Sequence, residues 1–281
     1  MTVKVVTDSS SDLPDDLAAQ LNIAIVPLSV RFGNEEFVDR KDLTAAEFWA
    51  RCDASPTLPE TAAPAPGAFE AAYRAAVAEG SDGVVAICIS GRLSGTLQAA
   101  QVAADAVRDA VPVRVVDSQQ ASGGLGILVR NAARWAAAGG KVDEIADAAL
   151  EEVGRTRLYA TFDTLEYLRK GGRIGRAQAF VGSMLSMKPV IELRDGVVEP
   201  ESRQRTRGRS IRHLADKVRE AVPVAHPTVL HADAPDYGEL VGMLAEFLPP
   251  DDIVVTSIGA VIGTHAGPRA MGVAFQQLPR G

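Results

Sequence analysis

Residues 89–96 combine hydroxyl side chains and glycines in the order expected of a ligand-binding turn. The segment reads Ile-Ser-Gly-Arg-Leu-Ser-Gly-Thr and lies between an apolar run, Gly83–Cys88, and an Ala-rich stretch, Leu97–Ala110. The apolar run predicts a buried strand, and the Ala-rich stretch predicts a helix. Because the first N–H groups of a helix are unpaired and partly positive, this turn could bind an anion. Ser94 or Thr96 could also cap the helix, and the two roles can coexist.

Three other polar positions stand in predicted loops and turns. Asp8 follows the predicted first strand, and Thr61 lies within residues 54–67, where four prolines predict a long loop. Thr264 and His265 belong to the sequence Gly-Thr-His-Ala-Gly-Pro, which predicts a turn that holds a side chain at a defined external point. A purely structural histidine is the alternative for this last segment.

The common catalytic and nucleotide-binding motifs do not occur in the sequence. It contains no Walker loop, no strand-linked G-x-G-x-x-G, no H-E-x-x-H, no G-x-S-x-G and no cysteine–histidine cluster. Ser94, His265 and Asp8 could still form a triad, because triads assemble from any chain order. A serine-dependent hydrolase or a small-molecule phosphotransferase that uses Ser94 and His265 is therefore the alternative function.

Length, charge and cysteine content limit the class of protein. The chain has 281 residues and a formal net charge of −7, which argues against a nucleic-acid partner. Cys52 and Cys88 are far apart and form neither a disulfide framework nor a metal cluster. The sequence has no signal-peptide core and no apolar run of membrane-spanning length. We expect a soluble, cytoplasmic protein without a metal site.

The order of predicted elements divides the chain into two halves. Strand, polar turn and helix recur through the first half, which predicts an α/β domain with a mainly parallel sheet over residues 1–155. Gly33-Asn34 predicts a hairpin within it. In the second half, Asp195-Gly196 predicts a further hairpin, and the remaining pattern predicts an α+β domain over residues 156–281.

Four arginines alternate with other residues after the second hairpin. Arg203, Arg205, Arg207 and Arg209 would all lie on one face if this segment were a strand. Such a stripe could be an edge strand that is protected from pairing by its charges. It could also be a docking face for a phosphate-bearing ligand or an acidic partner.

Several motifs, in this order, resemble those of the DegV family of bacterial fatty-acid-binding proteins, which includes the binding subunit of fatty acid kinase. The resemblance covers nearly the whole chain, and the combination of motifs is more specific than any one of them. The motifs are Thr7–Pro14, Ile89–Thr96 with Gln98, Val116–Ser118, Tyr167–Ile174, Lys188-Pro189, Arg205–Arg207 and Gly263–Pro268.

The resemblance implies a two-domain α/β fold with a long-chain fatty acid, such as palmitate, stearate or oleate, in a tunnel between the domains. It implies that a loop threonine, the serine of Leu-Ser-Gly-Thr and the histidine of Gly-Thr-His hold the carboxylate. It implies no resident cofactor and no catalytic residue in this chain. The predicted ligand-binding residues are Thr61, Ser94, Gly95, Thr96, Thr264 and His265.

The resemblance also implies a partner protein. In members that work with the kinase, a separate ATP-binding subunit phosphorylates the presented carboxylate, and the acyl phosphate enters phospholipid synthesis, with only transient membrane contact. We predict that Arg205 and Arg207, with Arg173 near the tunnel mouth, face this subunit.

The sequence departs from the family pattern at four positions beside the expected headgroup site. Ala62 and Ala63 replace polar residues after Thr61, Gly91 replaces a serine, and Arg269 replaces a glycine. The expected site therefore has fewer supporting polar groups. The apolar, Met-containing run Phe180–Met187 is predicted to line the tunnel, with ordinary core packing as the alternative.

Overall fold

The computed structural model describes residues 2–55, 57–181 and 187–279. Within these ranges the strands are β1 (Val3–Asp8), β2 (Ile23–Val26), β3 (Ser29–Phe32), β4 (Glu35–Val38), β5 (Glu60–Ala62), β6 (Gly83–Cys88), β7 (Val113–Asp117), β8 (Thr156–Thr161), β9 (Lys188–Arg194), β10 (Val197–Gln204), β11 (Val224–His231), β12 (Val254–Ser257) and β13 (Met271–Gln277). Short 3-10 helices cover Ser9–Ser11, Gly175–Phe180 and Pro250–Asp252.

The α-helices connect these strands. They are α1 (Asp15–Gln20), α2 (Ala45–Ala54), α3 (Pro66–Ala78), α4 (Thr96–Val107), α5 (Ser122–Ala137), α6 (Val142–Val153), α7 (Glu166–Lys170), α8 (Arg207–Ala221), α9 (Tyr237–Ala245) and α10 (Ala260–Ala266). In the parts of the chain that the structure describes, none of the helices is both long and apolar enough to cross a membrane.

The first half contains the parallel sheet that the sequence predicts. Strands β2, β1, β6 and β7 lie side by side in this order, and every pairing is parallel. Helices α3 and α4 pack on one face, and α5 and α6 pack on the other. Strand β6 is buried along its whole length because both faces are covered, which explains its unbroken apolar sequence.

The second half forms a mostly antiparallel sheet. Its order is β10-β9-β8-β13-β11-β12, and only β11 and β12 run parallel. The last strand, β13, lies between β8 and β11, so the end of the chain forms the centre of the sheet. The hairpin predicted at Asp195-Gly196 joins β9 to β10, and both turn residues have positive φ values of 51° and 78°.

Helix α5 lies between the two large sheets and joins their cores. It contacts β1 and β6 on one side and β8, β11 and β13 on the other. A Cβ atom at Gly123 would come within 2.8 Å of the Leu230 side chain, so the missing side chain permits this close approach. The change of sheet falls between β7 and β8. The division into two domains itself stays a prediction.

Two segments that were expected to be irregular contain regular structure. Strand β5 pairs with β3 in the three-stranded antiparallel sheet β4-β3-β5, so Thr61 lies opposite Val30 rather than in a long loop. The prolines flank β5, which is an edge strand that needs pairing on one side only. Residues 263–266 end α10 rather than forming an external turn, because Gly263 packs against the aromatic side chains of α2.

The predicted single face of four arginines is wrong. Strand β10 ends at Gln204 and α8 begins at Arg207, so the alternation of a strand does not continue. The hydroxyl of Thr206 accepts a hydrogen bond from the backbone N–H of Arg209 (3.3 Å) and caps the new helix. The helical spacing of buried residues along α8 outweighs the local alternation of charge.

Candidate functional site

An apolar cavity lies between the two large sheets. The space between its atoms, with the open mouth included, is about 870 Å³. Eighteen of its 23 lining residues are apolar or glycine. They come mainly from the loops after β2, β6 and β7, from five strands of the second sheet, and from α7 and α10. The five polar lining residues are Thr61, Ser94, Ser122, Arg173 and His265.

Two of these polar residues form a direct contact across the chain. The hydroxyl of Thr61 on β5 and the Nε2 atom of His265 on α10 share a hydrogen bond of 2.9 Å, although 204 residues separate them. The Nδ1 atom of His265 is buried and has no hydrogen-bond partner among the described residues. Among the described residues, the imidazole is therefore hydrogen-bonded through Nε2 alone.

The position of His265 is fixed by close packing of α7 and α2 on α10. A Cβ atom at Gly171 would lie 2.2 Å from Nδ1 of His265, so only glycine fits at the end of α7. A Cβ atom at Gly263 would lie 2.9 Å from Trp49 of α2. The first contact packs α7 against the imidazole ring, and the second packs α2 against the helix that carries the ring.

Burial keeps His265 neutral. Desolvation, with a smaller contribution from the nearby Arg173 guanidinium, lowers the pKa of His265 to about 4. The ring is therefore uncharged at neutral pH in the ligand-free protein. A neutral imidazole can accept a proton or donate a hydrogen bond without placing a permanent charge in the cavity.

Ser94 lies immediately before α4, as the sequence predicts. Its hydroxyl forms a 2.8 Å hydrogen bond with the hydroxyl of Thr96 and accepts the backbone N–H of Thr96 at 3.3 Å. Arg173 links this loop to the histidine, because its Nε donates to the carbonyl of Leu93 (3.0 Å) and its Nη1 donates to that of Gly171 (2.6 Å). These contacts link His265 to Thr61, and Arg173 to the loop of Ser94 and to Gly171 beside His265; we call Thr61, Ser94, Arg173 and His265 the polar end of the cavity.

The fifth polar residue is already bonded elsewhere. Ser122 opens α5 with a φ of 50°, and its hydroxyl donates to the carboxyl group of Asp12. Burial raises the pKa of Asp12 to about 7, against the smaller opposing effects of the hydrogen bonds from Ser122 and Gly259. Ser122 therefore contributes a satisfied hydroxyl to an otherwise apolar wall.

The structure separates the remaining predicted ligand-binding residues from the cavity wall. Thr264 is buried, and its hydroxyl donates to the carbonyl of Ala260 (2.8 Å) within α10. Thr96 is buried beneath Ser94, and Gly95 is exposed as the N-cap residue of α4. None of these three residues lines the cavity. They support the site through the positions of Ser94 and α10.

The geometry gives no support to the hydrolase alternative. The Oδ2 atom of Asp8 accepts the backbone N–H of Ile89 (2.8 Å), and its Oδ1 atom accepts that of Ser10 (3.0 Å). Neither carboxylate oxygen bonds to His265, whose Nε2 contacts Thr61, and the Ser94 hydroxyl contacts Thr96. The serine, histidine and aspartate of the predicted triad are therefore not connected.

The predicted partner-facing arginines occupy different environments. Arg205 is exposed in the link between β10 and α8. Arg207 is largely buried and donates from Nε and Nη2 to the two carboxylate oxygens of Asp236, at 3.0 Å each. Arg173 is half-buried beside His265. Arg207 thus anchors the start of α8, whereas Arg205 is available to a partner.

One of the sequence departures has a clear structural consequence. Arg269 adopts a φ of 59°, a left-handed conformation in which glycine is less strained. Its guanidinium compensates by pairing with Asp163 (3.3 Å) and Asp236 (3.8 Å). Ala62 and Ala63 are exposed at the end of β5, where they add no polar group to the cavity.

Sequence analysis missed several residues of the site. It assigned no role to Gly171, which packs against His265, or to the apolar wall residues of β8, β9 and β13. No periodicity distinguishes a residue that faces a cavity from one that faces packed core. The predicted lining segment Phe180–Met187 includes residues 182–186, which lie outside the described residues.

A family model matches nearly the whole chain. The model described as "Uncharacterised protein, DegV family" matches residues 2–278. A DegV domain-containing protein of Streptomyces coelicolor is 39% identical over 279 residues, which cover 96% of this chain and 97% of that protein. The chain therefore belongs to the DegV family, as its motifs predict.

Solved structures extend this likeness to the fold. A fatty-acid-binding DegV family protein from Thermus thermophilus is 35% identical, with a TM-score of 0.90 over 99% of this chain and 100% of that one. DegV from Bacillus subtilis, a fatty acid binding protein, is 29% identical, with a TM-score of 0.88 over 99% of this chain and 100% of that one.

Proposed function

We propose that this protein binds a long-chain fatty acid in the cavity between its two sheets, with the carboxylate at the polar end. The observation that carries the proposal is the distribution of polarity in the cavity wall. Contacts connect four of the five polar lining residues or their loops to one another, and the fifth, Ser122, is bonded to Asp12. The fatty-acid-binding relatives add support, because they share the fold across the whole chain.

The apolar wall can supply the binding energy. A sixteen-carbon chain buries about 14 methylene groups, which at about 0.8 kcal/mol each amounts to roughly 11 kcal/mol before ordering costs. Palmitate, stearate and oleate all satisfy this requirement. The wall is made of aliphatic side chains with one phenylalanine, Phe162, and has no charged group away from the polar end.

The polar end can offset the cost of burying the carboxylate. An unpaired carboxylate in an apolar cavity is strongly unfavourable, and each hydrogen bond to a charged group recovers roughly 1.5–3 kcal/mol. Thr61, Ser94 and His265 offer two hydroxyls and an imidazole, and Arg173 adds positive charge nearby. We assign the direct carboxylate contacts to Thr61, Ser94 and His265.

The test is to measure lipid bound to the purified protein and to variants of the polar end. Mass spectrometry of extracted lipid should find about one fatty acid per protein. Thr61→Val, Ser94→Ala and His265→Gln should each weaken fatty-acid binding by about tenfold or more, by the loss of one charge-assisted hydrogen bond. Thr57→Val is the matched control, because Thr57 is exposed in the same segment as Thr61.

Two results would contradict the proposal. One is a wild-type protein that carries no fatty acid and takes up none when incubated with oleate. The other is unchanged affinity in all three polar-end variants. Esterase turnover by lipid-free protein would revive the hydrolase alternative.

We further propose that the bound carboxylate is presented to a separate ATP-binding kinase subunit in the cytoplasm. In that step a carboxylate oxygen attacks the γ-phosphorus of ATP, the bond between the γ-phosphorus and ADP breaks, and ADP leaves. Neutral donors such as Thr61 and Ser94 leave a carboxylate oxygen nucleophilic, whereas a bidentate arginine would occupy both oxygens. The product is an acyl phosphate that can feed phospholipid synthesis.

The exposed Arg205 is the arginine best placed for this partner. Arg205→Glu should reduce partner-dependent acyl-phosphate formation by tenfold or more but leave fatty-acid binding unchanged, because rim charges mainly affect association. Arg108→Glu, an exposed arginine at the end of α4, is the control. Loss of both activities in Arg205→Glu would indicate misfolding, and loss of neither would exclude the docking role.

A further inference from the structure

A second cavity lies on the other side of the Ser122–Asp12 contact. Its walls are the segment after β1, the link between β4 and α2, the start of α2 and the link between β12 and α10. The space between its atoms, with the mouth included, is about 860 Å³. It shares no lining residue with the fatty-acid cavity.

The charges in this second cavity are mostly negative. Three carboxylates, Asp12, Asp15 and Asp39, line it together with one guanidinium, that of Arg40. Arg40 is already bonded to Asp15 and to the carbonyl of Leu13 (2.7 Å). The two deeper carboxylates therefore have no hydrogen bond from a cation among the described residues.

Asp39 has an unused carboxylate oxygen. Only 3% of this residue is exposed, and its Oδ2 atom has no hydrogen-bond partner among the described residues. Burial raises the pKa of Asp39, and the Ser9 hydroxyl and Arg40 compensate in part. A buried carboxylate oxygen without a donor is costly, so the cavity favours a ligand that supplies one.

The other oxygen atoms in this cavity indicate whether a metal ion or an ammonium group suits Asp39 better. Asp12 is 6% exposed, and its two oxygens already accept the Gly259 N–H (2.9 Å) and the Ser122 hydroxyl. A metal ion requires several free, convergent oxygen ligands, and no group of three acidic, histidine or cysteine residues is suitably placed among the described residues. An ammonium group requires only a few directional acceptors, which the Oδ2 atom of Asp39 and the hydroxyl of the exposed Ser257 can supply.

The remaining wall suits a short hydrocarbon stem. Leu13, Pro14, Leu43 and Val255 line the same cavity and could contact methylene groups. We propose that this cavity binds the primary ammonium group of a small alkyl amine, with Asp39 as its principal acceptor. The site is independent of the fatty-acid site that is proposed above.

The experiment is calorimetric titration of the whole protein with putrescine, spermidine and MgCl₂ at low ionic strength. We expect one amine to bind per protein and Mg²⁺ not to compete. Asp39→Asn, which removes the charge but keeps the shape, should weaken amine binding at least tenfold. Asp53→Asn is the matched control, because it makes the same change of charge at an exposed position on α2.

A second variant separates loss of the site from loss of folding. Ala45→Leu fills the cavity from the first turn of α2 without changing a charge, and it should also abolish amine binding. Fatty-acid content should stay at the wild-type level in both variants. No amine binding by the wild type, undiminished binding by Asp39→Asn or Ala45→Leu, or stoichiometric displacement by Mg²⁺ would each overturn the proposal.

Discussion

The two cavities meet at one hydrogen bond but differ in the chemistry of their buried polar groups. In the fatty-acid cavity, the buried groups are hydroxyls and a neutral imidazole at one end of an apolar wall. In the second cavity, they are carboxylates. Since a buried polar group must be matched by its ligand, we expect the first cavity to favour an anion with a hydrocarbon tail and the second to favour a cation.

The hydrogen bond between Ser122 and Asp12 lies between the two cavities. Ser122 belongs to the wall of one cavity and Asp12 to the wall of the other. Asp12 also accepts the N–H of Gly259, which precedes the helix that carries His265. The same residue thus closes the fatty-acid cavity and positions α10.

The largest expected effect comes from filling the fatty-acid cavity. Ala160 on β8 lines its wall, and Ala160→Phe would displace several methylene groups of the ligand. Loss of about four of them costs roughly 3 kcal/mol, so fatty-acid affinity should fall more than 100-fold. Lipid extraction with mass spectrometry measures this directly. Amine binding should not change. One bound fatty acid per protein in this variant would contradict the assignment of fatty-acid binding to this cavity.

A smaller effect is expected from disturbing the position of His265. Gly171→Ala would place a methyl group 2.2 Å from Nδ1 of His265. The ring or α7 must shift, so affinity should fall about tenfold and stability by about 1–3 kcal/mol. Binding titrations and thermal melts measure the two effects. Gly208→Ala is the control, because nothing lies within 4 Å of a Cβ atom at that position on α8.

The pH dependence of binding should depend on His265. Burial lowers the pKa of His265 to about 4 in the ligand-free protein, and a carboxylate placed beside the ring would raise it. Binding should therefore take up protons, and affinity should increase severalfold from pH 7.5 to pH 5.5. The measurement is oleate affinity at both pH values. His265→Gln should show a smaller change, and an identical change in both proteins would exclude this role.

The smallest expected effect concerns the stability contributed by Asp12. Burial raises the pKa of Asp12 from 3.8 to about 7, so between these values the folded protein binds more protons than the unfolded protein. The stability that depends on this group therefore decreases as pH rises from about 4 to 7. In Asp12→Asn, the fall in Tm between pH 5 and pH 7.5 should be smaller by a few degrees. Asp53→Asn should behave like the wild type, and an unchanged fall in Asp12→Asn would contradict the assignment.

Much of the fold could be predicted from local patterns. The continuous apolar sequence of β6 and the Asp-Gly turn between β9 and β10 each have one favourable structural interpretation. Predictions failed where two local signals competed. At Arg205–Arg209 the alternation of charge predicted a strand, but Thr206 caps a helix there. Around Thr61 the prolines predicted a loop, but a short edge strand forms between them.

The sequence alone determined the family, the parallel sheet and the residue types of the proposed headgroup site, because motifs and periodicity are local properties of the chain. Only the tertiary structure decided that the Thr61 hydroxyl bonds to His265, 204 residues away in the sequence. It also decided that the Thr264 hydroxyl bonds within α10, and that the missing side chain of Gly171 leaves room for the His265 ring. The tertiary structure also decided that Asp39 lines a second cavity and that its Oδ2 atom has no hydrogen-bond partner among the described residues. These outcomes depend on which surfaces pack together, and packing between distant segments leaves no periodic signal in the chain.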